Sequence, residues 1–459
     1  MEKSIERHHY WKGMVAILTT FIAVAVYLFL PESCPEAARR CAFVFVIAAG
    51  FWAFEIFPLY VTSLVVVLLL IFTLAKPGGI LGLDRLGYKM FLVPFASPVI
   101  MLFFGGFVLA SAMRKYRVDS YLAHEILLQV GDRPYSVLIG MMLTTAFLSM
   151  WISNTATTAV MMGIIHPFHK GGDQKDPFRK ALLLSIPFAA NLGGMGTPIG
   201  SPPNAIAVGF LSDFGLSVNF IEWMIICVPL MLLLLLIASG VLYYLFPPSY
   251  DRLDIESIEK IILGPAGRSV VLIAFVMILL FLTSPIHGIP EPLTALLGAG
   301  LLFTTGLLDQ QDFKQIHWDI LVLMWGGLAL GVGVEKTGLG EWIVDLPIFE
   351  SRGFFLVAML SALAFILSLF ISNTASAALL LPIALSIPIE NKMMLAITIT
   401  LSCAIAMIFP ISTPPNAIAY STGLIKNREM VLAGSIIAII SLMVILLGYQ
   451  IVIPAVIDS

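Results

Sequence analysis

Two stretches of an otherwise apolar chain carry side chains suited to ion and carboxylate chemistry. The first is Ser149-Met-Trp-Ile-Ser153-Asn154-Thr155-Ala-Thr157-Thr158, with six hydroxyl or amide side chains in ten residues. The second, Ser368-Leu-Phe-Ile-Ser372-Asn373-Thr374-Ala-Ser376, follows 219 residues later. Each is trailed by a further polar break, Gly200-Ser201-Pro202-Pro203-Asn204 and Ser412-Thr413-Pro414-Pro415-Asn416. Backbone that stops being helical at membrane depth must find partners, since a lone amide or carbonyl in hydrocarbon costs roughly 2–7 kcal/mol. Such breaks survive only when buried in protein or lining a cavity. Ser-Asn-Thr-Ala reads as a turn followed by a helix start, with Ser and Asn as preferred caps. The returning arm then aims its free N–H groups at the tip, an anion site. Freed carbonyls, hydroxyls and amide oxygens make a hard-oxygen cage suited to a small cation such as Na⁺. No Lys or Arg lies in any of the four segments, so a dianion held there needs co-bound cations for its countercharge. We expect the four breaks to build one binding site.

The elements that must position these residues follow from composition. Of 459 residues, 59% are apolar and 12% charged, with a mean hydropathy of +1.00. A soluble domain carries about 25% charged residues. Apolar runs of about 20 residues recur from Trp11 onward, the length that spans hydrocarbon as a helix. This predicts an all-α polytopic membrane protein, in contact with the bilayer throughout, and excludes open sheets. The net charge of −3 and the lack of any basic run give no reason to expect nucleic acid. Cys34, Cys41, Cys227 and Cys403 show no metal or disulfide spacing. The first apolar run continues to Leu30 without a small-residue cleavage site, so it reads as an uncleaved helix.

In order, residues 1–40 hold the N-terminus and helix 1. Residues 41–246 form a first repeat, with helices near 41–58, 59–75 and 93–113, a hairpin at 134–168, a broken helix at 179–211 and a helix near 222–246. A polar linker, 247–267, precedes a second repeat at 268–459. It has helices near 268–286, 289–308 and 318–336, a hairpin at 353–389, a broken helix at 393–424 and a last helix near 430–456. Phe104-Gly105-Gly106 pairs with Trp325-Gly326-Gly327 at an offset of 221, and the Pro-Pro-Asn breaks pair at 212, close to the 219 of the hairpins. Near-constant offsets at three landmarks imply an internal duplication. If each hairpin enters and leaves by one face, each repeat has five crossings, and the repeats lie in opposite orientation. The expectation is about 11 transmembrane helices plus two re-entrant helical hairpins in two inverted-topology repeats. With the N-terminus cytoplasmic, 17 of the 25 Lys and Arg fall on the inside, including those of the linker. Inverted repeats with broken helices are a plan of secondary transporters.

With these paired motifs in place, the chain resembles the divalent anion:sodium symporter family of dicarboxylate, tricarboxylate and sulfate transporters. The resemblance covers nearly the whole chain, in order. It implies sodium-coupled uptake of a C4-type dicarboxylate by an elevator mechanism, in a homodimer of the cell membrane, the inner membrane of a bacterium. Helix 1, the helices near 41–58, 59–75 and 93–113, and those near 268–286, 289–308 and 318–336 would be largely scaffold. By motif, one sodium site would use Ser149, Ser153, Asn154 and the Gly200 carbonyl; the other would use Ser368, Ser372, Asn373 and the Ser412 carbonyl. The substrate carboxylates would meet Asn154, Thr155, Asn373 and Thr374, with Ser201-Pro202 and Thr413-Pro414 lining the pocket. The first break is glycine-rich and the second has no glycine, so the sodium sites differ. The family also includes sodium-independent exchangers, and citrate or sulfate is an alternative substrate.

Other residues have plainer readings. Glu55, read as lying inside helix 2 near 41–58, is either a proton site or, as favoured, a structural hydrogen-bonding residue. Asp319 and Glu335 sit near helix ends. His166 and His169 flank Pro167 and lead into a polar turn, rather than forming a metal pair. Gly105-Gly106 and Gly326-Gly327 allow close helix packing, and Met141-Met142 and Met161-Met162 are hydrophobic fill. An enzyme would need a base near the Ser-Asn-Thr segments, and these hold no His, Lys, Asp or Glu. A channel is disfavoured by broken helices in two opposed repeats.

Overall fold

The computed structural model describes residues 2–457 apart from 77, 78, 83, 85, 166–175, 217, 254–260, 347–352 and 390. Every regular element among the described residues is a helix. Six are long and apolar enough to cross a membrane: Tyr10–Phe29, Lys89–Lys115, Phe220–Leu245, Pro265–Leu282, Trp318–Thr337 and Asn427–Ile451. Shorter apolar helices lie between them, and they include both arms of each expected hairpin, Pro134–Ser149 with Asn154–Ile165 and Phe354–Phe370 with Asn373–Ser386.

Local chemistry sets the boundaries. Phe220–Leu245 starts with a capping box: Asn219 Oδ1 accepts the Glu222 N–H at 2.9 Å, and the Glu222 carboxylate accepts the Asn219 N–H at 2.9 Å. The helix expected to begin at Val93 begins otherwise. A helical turn at Lys89–Leu92 passes into a 3₁₀ turn at Val93–Ala96, and the main helix restarts at Pro98 and runs to Lys115. Pro94 and Pro98 lack the N–H that a continuous helix would need. Helix 2 ends at Ala53, so Glu55 does not lie inside it. Glu55 is exposed, sits in the following turn at φ +44°, and its carbonyl, not its carboxylate, accepts the Lys12 ammonium at 2.6 Å. The structural reading of Glu55 thus rests on its backbone.

The chain divides into two compact units. One comprises Met1–Ile100, Ala205–Ser217 and His317–Cys403. Its centre is Trp318–Thr337, which packs on Leu59–Leu74 and on the returning arm Asn373–Ser386. Gly326 lies on Ser63 and Gly327 on Ala378, the close packing read from the paired glycines. The other unit comprises Met101–Asn204, Val218–Ile316 and Ala404–Ser459. Within it Phe178–Gly193 packs against both arms of the first hairpin, against Phe220–Leu245 and against the short helix Pro414–Ser421. Gly105 there lies on the Ala295 backbone.

Candidate functional site

The turn Met150–Ser153 joins the arms of the first hairpin. Ser153 caps the returning arm: its Oγ accepts the Ala156 N–H at 3.3 Å and its carbonyl accepts the Thr157 N–H at 3.0 Å. Ser372 does the same for Asn373–Ser386, accepting the Ala375 N–H at 3.1 Å. Serine is therefore the cap in both hairpins, and Asn154 and Asn373 open the helices that follow. Thr155 is exposed at the first helix start, and Thr374 is half-buried at the second.

Beneath the first tip the Ser149 hydroxyl, fully buried, lies 2.8 Å from Asn154 Oδ1 and 2.8 Å from the Ala190 carbonyl oxygen. The Ala190 oxygen also takes the Gly194 N–H at 3.0 Å. Ser149 brings the one hydroxyl proton shared among these three oxygens, so lone pairs outnumber donors. Such an excess of oxygen favours a small hard cation.

The glycine-rich break makes this closeness possible. Gly193 rests on the Ala146 backbone of the outgoing arm. A Cβ on Gly194 would stand 2.6 Å from Asn154 Oδ1 and 2.9 Å from its Nδ2. Gly200 backs onto Gly194 in turn, where a Cβ would stand 2.6 Å from the Gly194 oxygen. Thus Ser149, Asn154, Gly194 and Gly200 form one chain of contacts. The Thr197 hydroxyl donates to the Met150 carbonyl at 2.5 Å, tying the break to the hairpin turn. The Trp223 indole N–H donates to the Met195 carbonyl at 2.9 Å.

Each Pro-Pro-Asn asparagine closes its own break. Asn204 Nδ2 donates to the Gly194 and Thr197 carbonyls, both at 2.8 Å, and its Oδ1 accepts the Ser201 hydroxyl at 3.0 Å. Asn416 Nδ2 donates to the Met407 carbonyl at 2.8 Å and to Phe409 at 3.1 Å. Prolines just before each asparagine carry no N–H that would go unmet at a helix start. Thr413 caps Pro414–Ser421 by accepting the Asn416 N–H at 3.4 Å, and the Ser412 hydroxyl accepts the Phe409 N–H at 3.2 Å. Ser201, Ser412 and Thr413 are buried, Pro202 is half-buried and Pro414 is exposed. Pro414–Ser421 also packs against the returning arm Asn154–Ile165. The first hairpin and both Pro-Pro-Asn breaks therefore meet in one unit.

The second hairpin lies in the other unit. Its Ser368 is fully buried beside the Cys403 thiol, and Asn373 Oδ1 has no hydrogen-bond partner among the described residues. A buried amide oxygen without a donor is a candidate cation ligand.

Asn191 was not singled out in the sequence. It is 2% exposed in Phe178–Gly193, and its Nδ2 donates to Thr413 Oγ1 at 3.1 Å and to Asn416 Oδ1 at 3.4 Å. The available signal was an amide inside an apolar membrane-depth run, where a polar side chain is a functional suspect. His166 and His169 lie outside the described residues. Among the described residues no cluster of His, Cys, Asp and Glu could hold a metal ion.

Apolar helices of spanning length, interleaved with shorter helices whose breaks are re-satisfied by buried amides and hydroxyls, define a polytopic membrane protein of the transporter kind. The chain belongs to the family described by the sodium:sulfate symporter transmembrane region, whose model matches residues 8–453. It is 34% identical to an uncharacterized transporter of Haemophilus influenzae, over 95% of this chain and 96% of that one. It is 30% identical to the sodium-dependent dicarboxylate transporter SdcS of Staphylococcus saprophyticus, over 94% and 89%. In fold it is similar to the YdaH transporter of Alcanivorax borkumensis, with a TM-score of 0.57 at 12% identity, covering 87% of this chain and 98% of that one.

Proposed function

We propose that the chain is a sodium-coupled secondary transporter that takes up C4-type dicarboxylates such as succinate by an elevator form of alternating access. The observation that carries this reading is the oxygen cluster of Ser149, Asn154 and the Ala190 carbonyl, set in polar segments that contain no Lys or Arg to neutralise a bound anion. Relatives named sodium-dependent dicarboxylate transporters support the choice of ion and substrate. Ser149, Ser153, Asn154 and the Gly200 carbonyl take one sodium ion, and Ser368, Ser372 and Asn373 contribute to a second. The Asn154 and Asn373 amides, with Thr155 and Thr374, meet the substrate carboxylates, and Ser201-Pro202 with Thr413-Pro414 line the pocket. Each bound Na⁺ supplies positive charge that the residues lack, which is the physical origin of coupling. We place the N-terminus in the cytoplasm, with about eleven crossings and two re-entrant hairpins arranged as inverted repeats at 41–246 and 268–459, in a homodimer of the cell membrane.

The test is uptake of labelled succinate into proteoliposomes with an inward Na⁺ gradient, with citrate and sulfate as competitors. Uptake driven by the gradient and blocked by C4 dicarboxylates is expected. Full uptake with only internal substrate and no Na⁺ would establish exchange instead.

A further inference from the structure

Asn191 links the first cation cluster to the second break, and it does so on one side only. Its backbone N–H belongs to the same peptide unit as the Ala190 carbonyl, which the Ser149 hydroxyl contacts at 2.8 Å. Its side chain reaches Thr413 and Asn416, the residues that cap and close the second break. In the first break the corresponding amide, Asn204, has its Oδ1 satisfied locally by Ser201 at 3.0 Å. In the second break Asn416 Oδ1 accepts from Asn191, a residue of the other half of the sequence, at 3.4 Å. The position that matches Asn191 by spacing to the asparagine is Cys403, a thiol that cannot supply two amide donors. The asparagine oxygen of the first break is therefore met within that break, and that of the second is met by the first broken helix.

We propose that Asn191 is a positioning residue that conveys occupancy of the Ser149–Asn154 cation site to the Thr413 end of the substrate pocket. This rests on the sodium-coupled carboxylate reading above. A cation drawing on Ser149 and Asn154 fixes the Ala190–Asn191 peptide, and the Asn191 amide then holds the start of Pro414–Ser421 where a carboxylate meets it. Na⁺ bound in the first repeat thereby raises anion affinity at a helix start from the second.

The experiment uses the full-length protein purified in detergent and carrying Asn191→Ala or the milder Asn191→Ser, whose hydroxyl is too short to bridge to Thr413. Na⁺ binding without substrate is read by thermal shift against choline chloride, and succinate binding is titrated at low and at saturating Na⁺. Na⁺ affinity is expected to stay within about twofold of wild type, while succinate affinity at saturating Na⁺ falls about tenfold, within the 5–150-fold range of coupling between linked sites. The Na⁺ dependence of succinate affinity should flatten in both variants. Unchanged succinate affinity, or loss of Na⁺ and succinate affinity by one common factor, would overturn the proposal. If the wild-type protein shows no Na⁺-specific shift at all, the sodium reading fails instead, whatever Asn191 does.

Discussion

Replacing Gly194 by alanine probes the close approach on which the proposed first cation site depends. The added methyl carbon would stand 2.6 Å from Asn154 Oδ1, whereas an ordinary contact begins at 3.4 Å, so the amide must retreat by about 0.8 Å. Asn154 Oδ1 is held 2.8 Å from the Ser149 hydroxyl, and a retreat of that size directed away from Ser149 takes the pair beyond hydrogen-bond distance. Functional geometry tolerates about 0.5 Å. Unmaking one buried polar contact costs about 1–3 kcal/mol, which is about a 5- to 150-fold loss of Na⁺ affinity. Gly163 lies in the same returning arm with open space around it, and Gly163→Ala serves as the control. The assay is a Na⁺ titration of thermal stability in detergent, paired with labelled succinate uptake at several Na⁺ concentrations. Gly194→Ala should shift the Na⁺ dependence to higher concentration and Gly163→Ala should not. Wild-type Na⁺ dependence in a well-folded Gly194→Ala protein would refute the steric argument.

Other outcomes follow from the same geometry. Asn154→Ala and Asn373→Ala should each abolish uptake while size-exclusion profiles stay those of wild type; normal uptake in both would remove the site assignment. Asn204→Ala leaves the Gly194 and Thr197 carbonyls without their side-chain donor, and each costs about 1–3 kcal/mol, so its melting temperature should fall more than that of Ser201→Ala. All four cysteines are buried, and burial pushes the Cys34 thiol up from its ordinary value, so maleimide should label the folded protein only slowly at neutral pH. Labelling should become rapid on denaturation, and the folded-state rate should rise with pH as the thiolate forms.

The parts of this site legible in the sequence were those where polarity interrupts an apolar run. Ser149–Thr158, Ser368–Ser376 and the two Pro-Pro-Asn breaks stood out because a soluble-type residue in a membrane run must have a reason. Their caps followed from local rules, and Ser153 and Ser372 obey them. The partners that complete the site were hidden, because they are backbone or single residues. The Ala190 carbonyl has no sequence signature, and Asn191 has no counterpart at Cys403 to mark it as part of a repeat. The asparagines of the Pro-Pro-Asn breaks announced a turn, but not that each folds its amide back onto two carbonyls upstream. Glu55 misled because a pattern of apolar neighbours does not reveal that the helix has already ended at Ala53.

Coupling itself is tested most directly by counting ions. Proteoliposomes containing the purified protein are given labelled succinate and radiolabelled Na⁺ together, at equal Na⁺ on both sides. The account predicts Na⁺ entry that is stimulated by succinate, saturates with it and disappears in Asn154→Ala. Succinate entry unaccompanied by Na⁺ would contradict it.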